Sequence, residues 1–160
     1  MHHAWIFAGK AGLGKRDFAL SAARQLVAQS GVSQPEEHPD IITLTNLPKD
    51  EKEEKKREEG KPYQTKRNIA VDQIRAMQRR LTTRPTLGDR RAIIIQPADD
   101  METSASNALL KSLEEPPQGT YFILVAHRPS RLLPTIRSRC RVLRFPTLSE
   151  AQLADMLAEQ

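Results

Sequence analysis

A glycine-rich loop between an apolar run and a helical pattern constrains the fold of this chain most. Residues 9–15, GKAGLGK, match the first seven positions of the phosphate-binding pattern G-x-x-x-x-G-K-[ST]. The apolar run Trp5-Ile6-Phe7-Ala8 precedes the loop, and a helix ending near Gly31 is predicted after it. A strand, a tight loop and a helix in this order predict an α/β fold with a parallel sheet.

The chain lacks two features of a complete ATPase centre. Arg16 stands where the pattern requires a hydroxyl that binds Mg²⁺. The apolar run 92–95, after which a metal-positioning Asp and a water-activating Glu are expected, is followed by Gln96-Pro97. We therefore predict a degenerate site without turnover. Its phosphate-cradling residues still allow weak occupancy by ATP or ADP; they are Gly9, Gly12, Gly14 and Lys15.

Apolar runs alternate with helical patterns along the rest of the chain. Further strands are predicted at 41–44, 92–95, 121–126 and 142–145, and helices at 71–83 and 104–114. From Lys49 to Asn68 the sequence is dominated by Lys, Glu and Arg. Because this segment has almost no large apolar residue to bury, we predict a mobile insertion or a frayed hairpin there.

Length and composition limit the possible classes of protein. A chain of 160 residues suits one domain, here 1–147, and the capping box at Ser149 predicts a further helix over 148–160. That helix has little to pack on, so we expect the chain to continue beyond Gln160. With Cys140 as the single cysteine, neither an intrachain disulfide nor a zinc site of several cysteines is expected. The sequence shows no membrane span or export signal, and we expect a cytoplasmic protein.

The segment 106–117, SNALLKSLEEPP, resembles the S-x-N-A-L-L-K-x-L-E-E-P-P signature of bacterial clamp-loader subunits, AAA+ proteins of the DNA polymerase III holoenzyme. Similar family patterns occur at His38-Pro39-Asp40, 71–75, 97–99 and 132–140. The resemblance implies an AAA+ type P-loop fold over 1–147 and the first helix of a lid domain over 148–160. The collar domain that holds such subunits in a ring is not present in these 160 residues.

Clamp-loader subunits of two kinds share this layout. The gamma/tau motors carry a full P-loop, an Asp-Glu pair and zinc cysteines, and this chain departs from them at Arg16, Gln96 and Pro97. Those departures resemble the non-hydrolysing delta-prime stator, although the zinc cluster that delta-prime subunits often keep is missing. The resemblance implies gamma/tau and delta subunits as partners, with the sliding clamp and primed DNA reached through the complex. It implies no metal, no zinc and no membrane.

The Ser138-Arg139-Cys140 motif is the candidate functional element. The resemblance implies that Arg139 is an arginine finger acting in trans on ATP bound by a neighbouring motor subunit, with Ser138 and Cys140 as the flanking motif. By residue type alone, a surface arginine paired with a carboxylate is the alternative. Cys140 is predicted to be a small buried filler, and His127 stands where AAA+ proteins commonly place a γ-phosphate sensor.

Two other functions remain open. A self-sufficient P-loop ATPase would need Asp99 and Asp100 to replace the missing acids, although both lie beyond the expected end of the strand. The net charge of +5 also permits a DNA-binding module with a steep salt dependence. Its residues would be Arg75, Arg79, Arg80, Arg84, Arg90 and Arg91.

Overall fold

The computed structural model describes residues 2–28, 34–146 and 150–158. Its centre is a five-stranded sheet in the order β2-β3-β4-β1-β5, and every neighbouring pair of strands is parallel. The strands are β1 (Ala4–Ala8), β2 (Ile41–Leu44), β3 (Arg91–Ile95), β4 (Thr120–Ala126) and β5 (Arg141–Arg144). The predicted parallel α/β fold is confirmed.

Helices cover both faces of the sheet. The described helices of the chain are α1 (Lys15–Val27), α2 (Glu51–Glu58), α3 (Val71–Arg80), α4 (Thr103–Glu114), α5 (Pro134–Arg137) and α6 (Glu150–Ala158). Short 3₁₀ turns lie at Ala98–Asp100 and Pro129–Arg131. None of the described helices is long and apolar enough to cross a membrane.

The central strands are apolar on both faces because both faces are covered. On one face Ile93, Ile95 and Phe122 pack with residues of α3 and α4 such as Met77 and Leu109. On the other face, alternate residues of the same strands form a second core with α1, made of Phe7, Ala19, Ala23, Leu26, Val27, Ala92, Ile94, Ile123 and Val125. The sheet is therefore the shared wall of two cores.

Several predicted boundaries need correction. Helix α1 ends at Val27 and not near Gly31, which lies outside the described residues, and α3 ends at Arg80 and not at 83. Strand β5 covers Arg141–Arg144 in place of 142–145. The capping residue Ser149 lies outside the described residues, so the capping box and the assignment of α6 to a lid domain stay predictions.

The charged segment 49–68 was predicted as a mobile insertion or a frayed hairpin, and it contains the ordered helix α2, which that prediction did not include. Antiparallel hydrogen bonds do join its two ends, from Lys49 N–H to the Gln64 oxygen and from Lys66 N–H to the Leu47 oxygen. The Asp50 carboxylate caps α2 by accepting a hydrogen bond from the Glu53 backbone N–H at 2.9 Å. The buried Glu53 carboxylate in turn accepts hydrogen bonds from the Gln64 backbone N–H at 2.7 Å and from Lys56 Nζ at 3.1 Å. Capping and charge-assisted hydrogen bonds stabilise this segment in place of apolar burial.

Candidate functional site

The glycine-rich loop connects β1 to α1, in the order of strand, loop and helix that the sequence predicts. It runs from the end of β1 to Gly14, which caps α1 with a φ of 79°. Gly9 has a φ of 157°, and a Cβ built on it would lie 2.6 Å from the backbone oxygen of Phe145. Only glycine fits this close approach, which brings the loop against the end of β5.

Lys15 closes the loop on itself. Its side chain is only 2% exposed, and Nζ donates hydrogen bonds to the backbone oxygens of Gly9, at 2.6 Å, and Lys10. Burial lowers the pKa of the Lys15 ammonium, and the negative charge of Asp99 partly opposes that change. A phosphate group would have to replace these internal contacts to bind Lys15.

The two departures from a working ATPase meet in one cleft. A cavity of about 470 Å³ lies beside the loop, and Arg16, Gln96, Pro97 and His127 all contribute to its wall. The Gln96 Oε1 oxygen is buried and accepts no hydrogen bond from any described residue. The wall of this cleft thus contains the exposed Arg16 and the amide of Gln96, the two residues at which the sequence departs from the ATPase pattern.

Asp99 and Asp100 have other partners. The Asp99 carboxylate accepts the backbone N–H groups of His127 and Arg128, both at 3.1 Å, and Asp100 accepts the Asn46 side-chain amide at 3.1 Å. Neither aspartate is among the residues that line the cleft. Both carboxylates therefore fix turns near the ends of β2, β3 and β4.

Arg139 lies on a different surface. It follows α5 and lines a separate hollow of about 500 Å³ with His2, His3 and Glu114. Its Nη2 is 3.0 Å from Glu114 Oε1, and its Nη1 donates to the Thr135 backbone oxygen at 2.9 Å. The side chain remains 37% exposed. Arg139 is thus paired with a carboxylate, and it is accessible from outside the chain without facing the Lys15 cleft.

The neighbours of Arg139 in the motif have structural contacts. Ser138 Oγ donates to the Thr135 backbone oxygen at 3.0 Å. Cys140 is half-buried against the core shared by α3 and α4, and burial raises the pKa of its thiol to about 12. A thiol that stays protonated is a poor nucleophile and a poor metal ligand. In the part of the chain that the structure describes, no three His, Cys, Asp or Glu side chains lie close enough to hold a metal ion; the absence of zinc and of other metals in the protein stays a prediction.

The sequence analysis missed a buried polar contact at the start of β2 and β3. Asp40 is fully buried and accepts the backbone N–H groups of Thr86, at 2.5 Å, and Leu87, at 2.8 Å. Arg91, only 4% exposed, donates to backbone oxygens of residues 80, 83 and 84. The hypothesis that Arg91 belongs to a DNA-binding surface is therefore wrong. The His38-Pro39-Asp40 pattern already pointed to Asp40, but the backbone N–H groups that this carboxylate accepts lie more than forty positions away in the chain.

The other arginines of that hypothetical surface are exposed. Arg75, Arg79, Arg84 and Arg90 face outward, and Arg80 is exposed while donating to the Pro39 backbone oxygen at 3.1 Å. Arg75 lies 3.8 Å from the Asp72 carboxylate. The DNA-binding hypothesis therefore loses one residue and otherwise stays untested.

Comparison with known proteins agrees with the resemblance. A family model described as DNA polymerase III, delta subunit, matches residues 1–149. The DNA polymerase III subunit delta′ of Pseudomonas aeruginosa is 34% identical over 169 aligned residues, covering 98% of this chain and 47% of that protein. The delta′ subunit of Bacillus subtilis is also 34% identical, covering 100% of this chain and 47% of that protein. The chain spans about half the length of these relatives.

Solved structures agree on the fold. A DNA polymerase III gamma subunit-related protein from Thermotoga maritima superposes with a TM-score of 0.72 at 24% identity, covering 99% of this chain and 45% of that one. A variant of RuvB from the same organism gives a TM-score of 0.60 at 14% identity, covering 97% of this chain and 41% of that one. Both are AAA+ P-loop proteins, so the predicted AAA+ type fold is confirmed. The family match over 1–149 and the two delta′ relatives at 34% identity show that this chain belongs to the DNA polymerase III delta-subunit family.

Proposed function

We propose that the chain is the AAA+ part of a delta′ subunit in a bacterial, cytoplasmic clamp loader, and that it supplies Arg139 in trans to ATP bound by a neighbouring gamma/tau subunit. The observation that carries this proposal is the separation of the two sites. Arg139 lines its own hollow, partly exposed, while the phosphate-binding loop lies at another cleft. An arginine so placed acts on a ligand of another subunit and not on one held by its own loop.

The cleft around Lys15 supports a subunit that does not hydrolyse ATP. Arg16 brings a cation to the first turn of α1, where it opposes the helix dipole and offers no metal ligand. Gln96 and Pro97 supply neither a metal-binding carboxylate nor a base for water. The proposed subunit therefore serves the ATPase cycle of its partners, and any ATP or ADP in its own cleft is held weakly.

Replacing Arg139 with Ala in an assembled clamp loader tests the proposal. Charge develops on the transferred phosphoryl group, and a guanidinium from a neighbour contributes roughly 10³–10⁵ in rate. Hydrolysis at the one neighbouring site should fall by as much as about 10³-fold if chemistry limits it, and clamp loading should fall with it. Total ATPase should fall only partly, because the other sites keep their own arginines.

Arg137→Ala is the matched control, since Arg137 is an exposed arginine two positions away. Arg139→Lys should rescue poorly, because an ammonium lacks the planar pair of donors that bridges phosphate oxygens. Unchanged ATP turnover and clamp loading by a correctly assembled Arg139→Ala complex would reduce Arg139 to a surface residue paired with Glu114.

A further inference from the structure

We infer that Glu114 is a positioning residue for Arg139, an inference that rests on the proposed trans role of this arginine. Glu114 Oε1 lies 3.0 Å from Nη2 of the guanidinium, and the Thr135 backbone oxygen accepts from Nη1 at 2.9 Å. An ion pair at one nitrogen and a hydrogen bond at the other restrain where the guanidinium lies. These two side chains come from different elements, since Glu114 ends α4 and Arg139 follows α5.

The contacts leave the guanidinium able to bind an anion. A guanidinium carries five N–H donors in a fixed planar arrangement. Thr135 accepts one, Ser138 Oγ lies at a longer 3.4 Å from Nη1, and Nη2 forms the ion pair with Glu114. At least two donors thus remain for the oxygens of an incoming phosphate group. The Arg139 side chain is 37% exposed, so an anion from outside the chain can reach it.

A carboxylate at position 114 adds little to the stability of the fold. Glu114 is the last residue of α4, where the negative end of the helix dipole disfavours an acidic side chain. The Glu114 and Arg139 side chains are 45% and 37% exposed, and ion pairs at such positions contribute only about 0–1 kcal/mol. The pair therefore orients Arg139 more than it stabilises the fold.

The backbone around the pair is anchored on both sides. His3 Nε2 donates to the Leu113 backbone oxygen at 3.1 Å, and His2 Nε2 donates to the Arg139 backbone oxygen at 3.1 Å. These neighbouring histidines precede β1 and connect the end of α4 to the turn after α5. The distance that the Glu114–Arg139 ion pair spans is therefore set by the fold.

The test uses the assembled clamp loader, with motor subunits arranged so that only the site next to this chain hydrolyses ATP. Glu114→Ala leaves Thr135 as the remaining strong contact and lets the guanidinium rotate. Because a displacement of about 1 Å costs as much as roughly 10²-fold in rate, we expect kcat at that site to fall roughly 10- to 100-fold. The KM for ATP should stay unchanged, since the contact acts on the chemical step.

Matched variants separate positioning from other roles. Glu115→Ala removes an adjacent exposed carboxylate and should leave kcat unchanged. Glu114→Gln keeps an oxygen acceptor without the charge and should fall between wild type and Glu114→Ala. The double variant Glu114→Ala/Arg139→Ala should be no slower than Arg139→Ala alone, because Glu114 acts only through Arg139.

Each outcome decides between the two proposals. If Arg139→Ala leaves kcat unchanged, the proposed trans role fails and takes this inference with it. If Arg139→Ala lowers kcat and Glu114→Ala or Glu114→Gln does not, only the positioning role is overturned. A higher kcat in the Glu114→Ala complex would show that Glu114 holds Arg139 back from the reaction. A double variant with a lower kcat than Arg139→Ala would show that Glu114 has a role independent of Arg139. Either result also overturns the inference. Circular dichroism and size-exclusion chromatography establish that every variant folds and assembles.

Discussion

Removing the Asp40 carboxylate is expected to destabilise the chain by about 3 kcal/mol. The two carboxylate oxygens accept the backbone N–H groups of Thr86 and Leu87, and Asp40 itself has no exposed surface. In Asp40→Ala both donors lose a charged acceptor. The perturbation therefore acts on the connection between α3 and β3 and leaves the apolar cores unchanged.

The magnitude follows from the two hydrogen bonds. A hydrogen bond to a charged group contributes roughly 1.5–3 kcal/mol, so two such bonds contribute roughly 3–6 kcal/mol. Thr86 and Leu87 are exposed residues, and water can replace part of the lost contact, which favours the lower end of that range. Burial lowers the pKa of Arg91, and the negative charge of Asp40 opposes that change. Removing Asp40 therefore also destabilises the buried, charged guanidinium of Arg91.

Urea unfolding and thermal unfolding, both followed by circular dichroism, measure this change. A loss of about 3 kcal/mol should lower the thermal midpoint by roughly 6–12 °C in a chain of this size. Asp89→Ala is the control, because Asp89 is an exposed acid of the same connection and its carboxylate has no hydrogen bond or ion pair with the described residues. A change below about 1 kcal/mol in Asp40→Ala would show that these hydrogen bonds are replaced by water at little cost, and the reasoning would be refuted.

The remaining predictions concern the cleft and the thiol. The chain by itself should release no phosphate from Mg-ATP, and Arg16→Ser should not create turnover, because Gln96 and Pro97 still supply no carboxylate; Mg²⁺-dependent phosphate release by that variant would refute this. Iodoacetamide should alkylate Cys140 slowly at about pH 9 in the folded chain and quickly in urea, since its pKa is raised from 9.0 to about 12. Because the folded pKa is the higher one, the protonated thiol adds stability that is fully present below about pH 9 and is lost as the pH rises toward 12. The urea midpoint should therefore fall more steeply above about pH 9 in the wild-type chain than in Cys140→Ala, and equal slopes would contradict this.

Local patterns predicted most of the architecture. The sheet, the glycine-rich loop and helices α1, α3 and α4 follow from apolar spacing and turn residues within short windows, and the structure contains each of them. Helix α2 was outside the reach of such patterns, since its stability comes from the Asp50 cap and from the contact between Glu53 and Gln64. Helix α2 contains no apolar residue, so apolar spacing does not predict it.

Some residues of the candidate sites could likewise be assigned from local patterns, and others could not. Arg16 could be assigned from its place in the phosphate-binding pattern, and Gln96 and Pro97 from following the apolar run of β3, because each of these patterns lies within a short window of the chain. The partners of Arg139 could not be assigned, because Glu114 lies on another helix and the two meet only when α4 and α5 pack on the same face of the sheet.

The sequence by itself determined that the chain forms a parallel α/β sheet with a glycine-rich loop at the end of its first strand, because these features depend on neighbouring residues. The tertiary structure decided which charged side chains are available to a partner. The sequence allows both Arg91 and Arg139 to serve a partner, but parallel pairing of β2 and β3 buries the first beside Asp40, while the turn after α5 leaves the second at the surface. Burial of a charge depends on strand order and register, which join residues far apart in the chain.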